Sequence, residues 1–204
     1  MHDKALTTEA SRLFGKLGLF KSFYLVGGTA LALQIGHRVS VDFDLFSEKK
    51  LPTDLLQKIK RVFSGSDIEV TYRSADQINV LVNGVKMTFF YYPYPVLDPL
   101  MMYQNVSMAS LHEIAAMKAL AIGKRLSFKD YVDWYFLLSR KHVTLAGTIK
   151  LAEAKFGGDF NDRLFLGQLV SLSDIPDQKI DFLDEAVGRQ DIETTIKAHV
   201  KEMI

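Results

Sequence analysis

Two aspartates at alternate positions, Asp42 and Asp44, lie in a segment whose pattern predicts a β-strand. Successive side chains of a strand point to opposite faces of a sheet. We therefore expect Val41, Phe43 and Leu45 to face a core and the two carboxylates to share the other face. The strand rise places the Cα atoms of the two aspartates about 6.6 Å apart. Carboxylate oxygens at this spacing suit one or two hard divalent cations such as Mg²⁺ or Mn²⁺.

A glycine pair lies upstream of these carboxylates, where an apolar strand ends. Gly27 and Gly28 open a predicted short helix that runs from Thr29 to about Ile35. Because glycine lacks a Cβ, its backbone can approach a ligand closely, and the free N–H groups at a helix start favour a phosphate. Arg38 follows this helix and has the planar donor geometry that binds phosphate oxygens. The combination predicts a nucleoside-triphosphate site in which a metal ion bridges the phosphates.

Composition and motif content narrow the function classes. The chain has 204 residues, no cysteine and a formal net charge of +1, and 48% of its residues are hydrophobic. No Walker-type glycine loop, dinucleotide fingerprint or zinc-protease motif occurs, and the lack of cysteine excludes a cysteine nucleophile and cysteine-ligated zinc. The near-zero charge argues against an unaided electrostatic grip on nucleic acid. With no signal-peptide pattern and no apolar stretch long enough to cross a bilayer, we expect a cytoplasmic protein that does not enter a membrane.

The predicted elements form two lobes. The clearest hairpin signal is an Asn83-Gly84 turn between two apolar segments. It belongs to a mixed β-sheet lobe with packed helices over residues 1–107, and a helical lobe follows over residues 108–204. The predicted fold class is therefore α+β, with the junction in a proline-rich segment near residues 93–99. Expected helices include residues 5–18, 54–63 and 182–203.

Three blocks of the chain carry a family resemblance. The Gly-Gly-Thr-Ala-Leu turn that runs on to Asp-Phe-Asp resembles the signature of the nucleotidyltransferase superfamily, a Gly-Gly or Gly-Ser turn followed by Asp-x-Asp. More closely, residues 27–46 are similar to the AbiEii/AbiGii-type toxin nucleotidyltransferases. Residues 115–120 are similar to the lysine-bearing helix of that family, and residues 129–138 to its acidic helix. The resemblance implies a nucleotidyltransferase-like sheet lobe.

Carried over position by position, the resemblance implies functional roles for nine residues and a supporting role for a tenth. The implied nucleotide-binding residues are Gly27, Gly28, Thr29, Arg38 and Ser40. The implied metal ligands are Asp42 and Asp44. The implied catalytic residues are Asp42, Asp44, Lys118, which would contact phosphate, and Asp130, with Asp133 in support one helical turn on.

The resemblance also implies a reaction and partners. The reaction is metal-dependent transfer of a nucleoside monophosphate from an NTP to an acceptor hydroxyl, with Mg²⁺ or Mn²⁺ as cofactor. Relatives of this type act on RNA, including tRNA ends, as toxins of toxin–antitoxin or phage-defence pairs, so an antitoxin protein is an expected partner. Two alternatives remain open at this point. One is a nucleotide-binding module without transfer activity, and the other is an enzyme that modifies a protein side chain or a small molecule.

One departure from the superfamily pattern concerns a third carboxylate. Many members carry it on a neighbouring strand, where it helps to activate the attacking hydroxyl. Here the candidate strand, residues 85–91, has no acid, and Lys86 or Thr88 stands in its place. Either Asp130 supplies the missing carboxylate, which we favour, or the protein binds nucleotide without efficient transfer.

Two further features each allow two interpretations. The aromatic run over residues 89–92, with Tyr94, suits either base stacking or a buried strand. Several basic side chains form either a local basic patch or a solvated helix surface. They are Lys118, Lys124, Arg125 and Lys129.

Overall fold

The computed structural model describes residues 1–122 and 127–203. The chain divides into two compact units, Met1–Ser110 and Leu111–Ile204. The first contains a seven-stranded mixed sheet and three α-helices, and the described part of the second contains five α-helices. The α+β class expected from the sequence is confirmed. Lys124 and Arg125, two members of the basic set named above, lie outside the described residues.

Seven strands form the single sheet of the first unit. They are β1 (Tyr24–Val26), β2 (Phe43–Ser47), β3 (Ile68–Arg73), β4 (Gln77–Val82), β5 (Val85–Tyr91), β6 (Met101–Tyr103) and β7 (Val106–Met108). Their order in the sheet is β3-β4-β5-β2-β1-β7-β6. Strand β2 is antiparallel to β1 and parallel to β5, and β1 is parallel to β7, whereas the other neighbours are antiparallel. Because β2 has a hydrogen-bonded partner on each side, the facing of its side chains is fixed.

One face of this sheet is the apolar core of the unit. Phe43, Leu45 and Phe89 are at most 1% exposed and alternate with more polar positions along β2 and β5. The ring of Phe20 lies 4.9 Å from that of Phe89 and 6.1 Å from that of Phe63, measured between centroids. The helices of this unit are α1 (Thr8–Phe14), α2 (Gly27–Ile35) and α3 (Leu55–Val62). Since Phe63 directly follows α3, this helix packs on the core face, and the face that carries Asp44 is the opposite one.

The Asn83-Gly84 hairpin is confirmed. Val82 pairs with Val85, so the loop has two residues, and both have positive φ, +49° at Asn83 and +79° at Gly84. Positive φ at both central positions is the property of the type I′ turn that matches strand twist. Turn chemistry alone therefore fixes the register of β4 against β5.

We expect Gly84→Ala to lower the free energy of unfolding by about 1–2 kcal/mol, because the left-handed backbone conformation is less favourable for alanine than for glycine. A Cβ at this position would touch nothing within 4 Å, so the cost is conformational and not steric. Urea unfolding measures it. Gly15→Ala is the matched control, because Gly15 has φ −59° and equally open surroundings. Equal stability of the two variants would contradict the turn assignment.

The start of β2 differs from the sequence expectation. The strand begins at Phe43, so Asp42 lies in the loop before it, and Val41, expected to face the core, is 43% exposed. The physical reason is that the backbone carbonyl of Asp42 accepts a hydrogen bond from the Thr29 side chain of α2. The backbone here is therefore held by a helix and not by a strand ladder.

Two other segments of the first unit also differ. The helix expected over residues 5–18 is shorter, since α1 is followed by the 3-10 helix Gly15–Leu19. Glycine lowers helix stability, and this segment carries two. The proline-rich segment is followed by the β6–β7 hairpin within the same unit, and these strands of three residues are too short to produce a recognisable alternation.

The described part of the second unit is helical. Its helices are α4 (Leu111–Ile122), α5 (Phe128–Ser139), α6 (Leu145–Phe156), α7 (Asp162–Leu169) and α8 (Arg189–Lys201). The final helix, expected over residues 182–203, begins only at Arg189, after an extended Gly188. A fully buried ion pair joins α4 to α6, with Lys155 Nζ 2.8 Å from Glu113 Oε2. None of the helices in the described ranges has the length and apolar character needed to cross a bilayer.

Candidate functional site

The face of β2 that carries Asp44 meets the glycine turn at the start of α2. Val26, the last residue of β1, pairs with Asp44, so the turn after Val26 lies beside this carboxylate. Gly27 has φ +72°, in the left-handed region that favours glycine. A Cβ built on Gly27 would also lie only 2.6 Å from Asp44 Oδ2. The backbone conformation and the neighbouring carboxylate therefore both require glycine at this position.

The second glycine lies against a cation. A Cβ built on Gly28 would lie 2.6 Å from Arg38 Nη2 and 3.3 Å from Ser40 Oγ. Arg38 is only 4% exposed, and its Nη1 donates a 3.1 Å hydrogen bond to the Val39 carbonyl. The buried guanidinium group is thus held close to the first turn of α2. A carboxylate and a guanidinium group line two consecutive glycines, which places both charges beside backbone N–H groups at a helix start.

Thr29 connects this helix start to the loop that carries Asp42. Its hydroxyl donates to the Asp42 carbonyl, and Oγ1 lies 2.8 Å from Ser40 Oγ. Because a carbonyl only accepts and Thr29 has one hydroxyl proton, Ser40 donates in the second bond. Thr29 is 2% exposed, so its own hydroxyl is buried. The glycine turn and the Asp42 loop are therefore linked by a side chain and not by a β-ladder.

We expect Thr29→Val to lower kcat about tenfold and the free energy of unfolding by about 1–2 kcal/mol, because the Asp42 carbonyl loses its donor and the Asp42 loop loses its anchor. Steady-state nucleotidyl transfer and urea unfolding measure the two effects. Thr29→Ser keeps the hydroxyl and is the matched control. An active, fully stable valine variant would show that the hydroxyl does not position the loop.

The N-terminal segment also holds the Asp42 loop and the end of α2. The His2 N–H donates to the Leu33 carbonyl at 2.8 Å, and the Ser40 N–H donates to the Ala5 carbonyl at 2.9 Å. Between them, Asp3 Oδ1 accepts a 2.6 Å hydrogen bond from the Tyr103 hydroxyl, and this bond is the main cause that raises the pKa of Tyr103. The first residues of the chain therefore support the candidate site directly.

Thr88 occupies the position beside Asp44 on the neighbouring strand. Asp44 pairs with Thr88 in the parallel β2–β5 ladder, and Thr88 in turn pairs with Asn79 on β4. The position where many superfamily members carry a third acid is thus a threonine that is 9% exposed. Over residues 1–122 and 127–203, no group of three or more His, Asp or Glu side chains is arranged to hold a metal ion.

The second unit contains a separate charged cluster. Lys118 Nζ on α4 lies 2.8 Å from Asp130 Oδ1 and 2.5 Å from Asp133 Oδ2, both on α5. All three side chains are at most 5% exposed. One ammonium group thus bridges two carboxylates away from water, an arrangement that fixes all three side chains.

Tyr131 shares this helix with the two aspartates of the cluster. Burial, and then the negative charges of Asp130 and Asp174, raise its pKa to about 12, so its phenol stays neutral at physiological pH. Its hydroxyl donates a 2.7 Å hydrogen bond to the Gln168 carbonyl. Tyr131 therefore ties α5 to the end of α7 and keeps the acidic helix in place.

The sequence-predicted residues fall into two groups. The structure brings seven of them together in the first unit and two in the buried cluster of the second. The first group is Gly27, Gly28, Thr29, Arg38, Ser40, Asp42 and Asp44, and the second is Lys118 and Asp130. The sequence analysis did not find Gln77 and Asn79, because their placement on the face of Asp44 depends on sheet register. Asn79 lies in the cross-strand row of Asp44, and Gln77 lies in the next row.

Comparison with known proteins identifies the family. The family model described as "Nucleotidyl transferase AbiEii toxin, Type IV TA system" matches residues 11–91 and 88–204. The chain belongs to the AbiEii family. The resemblance seen in the sequence is therefore confirmed, and the enzyme class is that of this family, a nucleotidyltransferase.

Three known proteins are similar to this AbiEii chain over most of its length. An uncharacterised protein of Aquifex aeolicus (strain VF5), aq_aa25, is 32% identical over 96% of the chain and 95% of its own length. JHP933 from Helicobacter pylori has a TM-score of 0.56 at 16% identity, covering 97% of this chain and 94% of its own. MenT4, a nucleotidyltransferase toxin from Mycobacterium tuberculosis H37Rv, has a TM-score of 0.55 at 14% identity, covering 98% and 86%. At such identities the two solved structures show a shared fold.

Proposed function

We propose that this protein is a metal-dependent toxin that transfers a nucleoside monophosphate from an NTP to a hydroxyl of RNA, with tRNA ends as the expected acceptor, and releases pyrophosphate. The observation that carries the proposal is the contact between the left-handed glycine turn and the Asp44 carboxylate. A phosphate bound by the N–H groups of this turn would lie next to an acidic side chain, and such a pair needs a cation between its negative charges. The glycine turn, Thr29, Arg38 and Ser40 form the nucleotide-binding part of the proposed site.

The donor set fits a Mg²⁺ or Mn²⁺ ion. Asp42 is exposed and Asp44 half-buried, so both can offer carboxylate oxygens to a ligand beside the glycine turn. Mg²⁺ characteristically takes one or two protein carboxylates and completes its octahedron with water and substrate phosphates. Two aspartates are therefore sufficient to hold such an ion, without a third acid. When bound, the ion would neutralise phosphate charge and polarise the phosphorus that is attacked.

The residues of the chain supply position and charge. In the proposed reaction the N–H groups at the start of α2 hold the leaving pyrophosphate, and the Arg38 guanidinium group offsets the charge that develops on it. Thr29 and Ser40 keep the Asp42 loop at a fixed distance from the turn. The attacking hydroxyl loses its proton while its oxygen bonds to the α-phosphorus and the bond to pyrophosphate breaks.

Lys118 and Asp130 enter the proposal through the family's lysine and acidic helices. We assign Lys118 to charge neutralisation at the phosphates and Asp130 to acceptance of the hydroxyl proton, in place of a third acid on β5. The buried ion pairs of Lys118 with Asp130 and with Asp133 support these roles because they hold Lys118 and Asp130 in fixed rotamers. The expected partner is an antitoxin protein, in keeping with the type IV toxin–antitoxin description of the family.

A transfer assay tests the function. Purified protein is incubated with Mg²⁺, total tRNA and each of four α-labelled NTPs in turn. We expect label on RNA, dependent on the metal and strongest with one NTP. Label on protein and not on RNA would contradict the acceptor class, and absence of any transfer would contradict the enzymatic proposal for this chain.

A further inference from the structure

The sheet face that carries Asp44 continues as a surface of amide and aromatic side chains. We call Phe46, Phe90, Gln77 and Asn79 the amide–aromatic surface. Asn79 lies in the cross-strand row of Asp44, two strands away, while Phe46, Phe90 and Gln77 form the next row. Paired residues on neighbouring strands point to the same face. The four side chains therefore adjoin the acidic position on one side of the sheet.

Their chemistry is that of a nucleobase-binding surface. The rings of Phe46 and Phe90 lie 5.2 Å apart at 62°, and both are half-buried, so part of each ring remains accessible. Gln77 Nε2 donates a 2.9 Å hydrogen bond to Asn79 Oδ1. Within the described residues, this is the only hydrogen bond of either side-chain amide, which leaves Gln77 Oε1 and Asn79 Nδ2 for a ligand. Aromatic rings that stack bases, beside amides that bind base edges, are typical of single-stranded RNA recognition.

The position of the surface relative to the glycine turn indicates which nucleotide it contacts. The turn follows β1 and lies on one side of Asp44. Three members of the amide–aromatic surface, Phe90 on β5 and Gln77 and Asn79 on β4, lie on the other side, and Phe46 is on β2 itself. In phosphoryl transfer the attacking and leaving oxygens are roughly in line. With pyrophosphate held at the turn, the attacking hydroxyl must arrive from the β5–β4 side. The Cα atoms of Asn79 and Asp44 are two strand spacings apart, which is about 10 Å. This distance leaves room for the base of a ribose that reacts beside Asp44.

We propose that the amide–aromatic surface binds the terminal nucleobase of the acceptor RNA, with Phe90 stacking on the base and Gln77 and Asn79 selecting its edge. This inference rests on the proposed function for its orientation. It gives the protein a sequence preference at the acceptor end that is independent of its choice of NTP.

A binding experiment tests the surface without requiring transfer. Six-nucleotide RNAs that carry a 5′ fluorophore and end in A, C, G or U are titrated into the full chain, without NTP, and anisotropy gives Kd. We expect one 3′ base to bind preferentially. The near-isosteric Gln77→Met/Asn79→Leu double variant should lower this preference about tenfold, and Phe90→Leu should raise Kd about tenfold for every oligomer. Gln57→Met is the control, because Gln57 is an exposed amide on α3, at the core side of the sheet. This variant should change neither the 3′-base preference nor Kd.

A kinetic experiment distinguishes the acceptor base from the NTP base. In the double variant, KM for RNA should rise while the relative kcat/KM of the four NTPs stays unchanged. A changed NTP preference with unchanged RNA binding would overturn the proposal and place the NTP base on this surface. The proposal would also be overturned if none of the four oligomers binds, or if the double variant binds all four with the same Kd values as the unmodified chain. If RNA binding is weakened as expected but the unmodified chain transfers nothing, the proposed function fails while the base-binding surface stands.

Discussion

An Asp44→Asn variant is expected to lose nucleotidyl transfer by at least about a thousandfold while it keeps the fold. The change removes one charge and no volume from the face of β2 that meets the glycine turn. A metal held by one carboxylate fewer loses several kcal/mol of transition-state stabilisation, and each 1.36 kcal/mol is a factor of ten in rate. Single-turnover transfer of labelled nucleotide to RNA measures the loss, and thermal unfolding confirms that the variant is folded.

Asp42→Asn should lose less activity than Asp44→Asn, because Asp42 lies in the loop before β2 and is more exposed. The Asp42→Ala/Asp44→Ala double variant should be inactive at any metal concentration. Asp76→Asn provides a matched control, because this exposed aspartate lies next to β4 in the same unit. Wild-type turnover in the double variant would rule out the assignment of the two aspartates as metal ligands.

The second large effect concerns the buried cluster of Lys118, Asp130 and Asp133. Lys118→Met is expected to lower the free energy of unfolding by about 3–5 kcal/mol, because it removes a cation that two buried carboxylates contact. Chemical denaturation of the full chain measures the loss. The Lys118→Met/Asp130→Asn/Asp133→Asn triple variant removes all three charges and should recover most of the stability. Equal instability of the single and triple variants would show that packing, and not charge, maintains this region.

Asp130→Asn separates a structural role from a catalytic one. The substitution leaves one ammonium group facing one carboxylate, so the cluster becomes neutral and stability should change by about 1 kcal/mol or less. If Asp130 accepts the proton of the attacking hydroxyl, kcat should fall about a hundredfold or more and its dependence on pH should change. Unchanged turnover in this folded variant would show that Asp130 only positions Lys118.

The sequence predicted those features that depend on local chemistry. The type I′ turn follows from Asn83-Gly84 alone, and the alternation along β2 follows from the strand period. The glycine pair was recognised because a helix start with no Cβ leaves room for a ligand. The roles of the candidate residues were implied by the family resemblance of three short blocks of sequence, and they stay predictions.

What the sequence could not predict depends on contacts between distant segments. The start of β2 is set by a hydrogen bond from Thr29 on α2, which a strand pattern does not contain. The placement of Asn79 in the row of Asp44 requires the registers of both β4–β5 and β5–β2. The β6 and β7 strands are too short to show a period. Each depends on a pairing partner and not on the residues of the segment itself.

The hydrogen bonds of the first five residues have a practical consequence for anyone who purifies this protein. Backbone groups of His2 and Ala5 bind the end of α2 and the loop that carries Asp42. A protease that trims residues 1–5 would remove both hydrogen bonds, and an affinity tag fused before Met1 adjoins them. Low activity measured with an N-terminally tagged preparation would therefore reflect the tag as much as the enzyme.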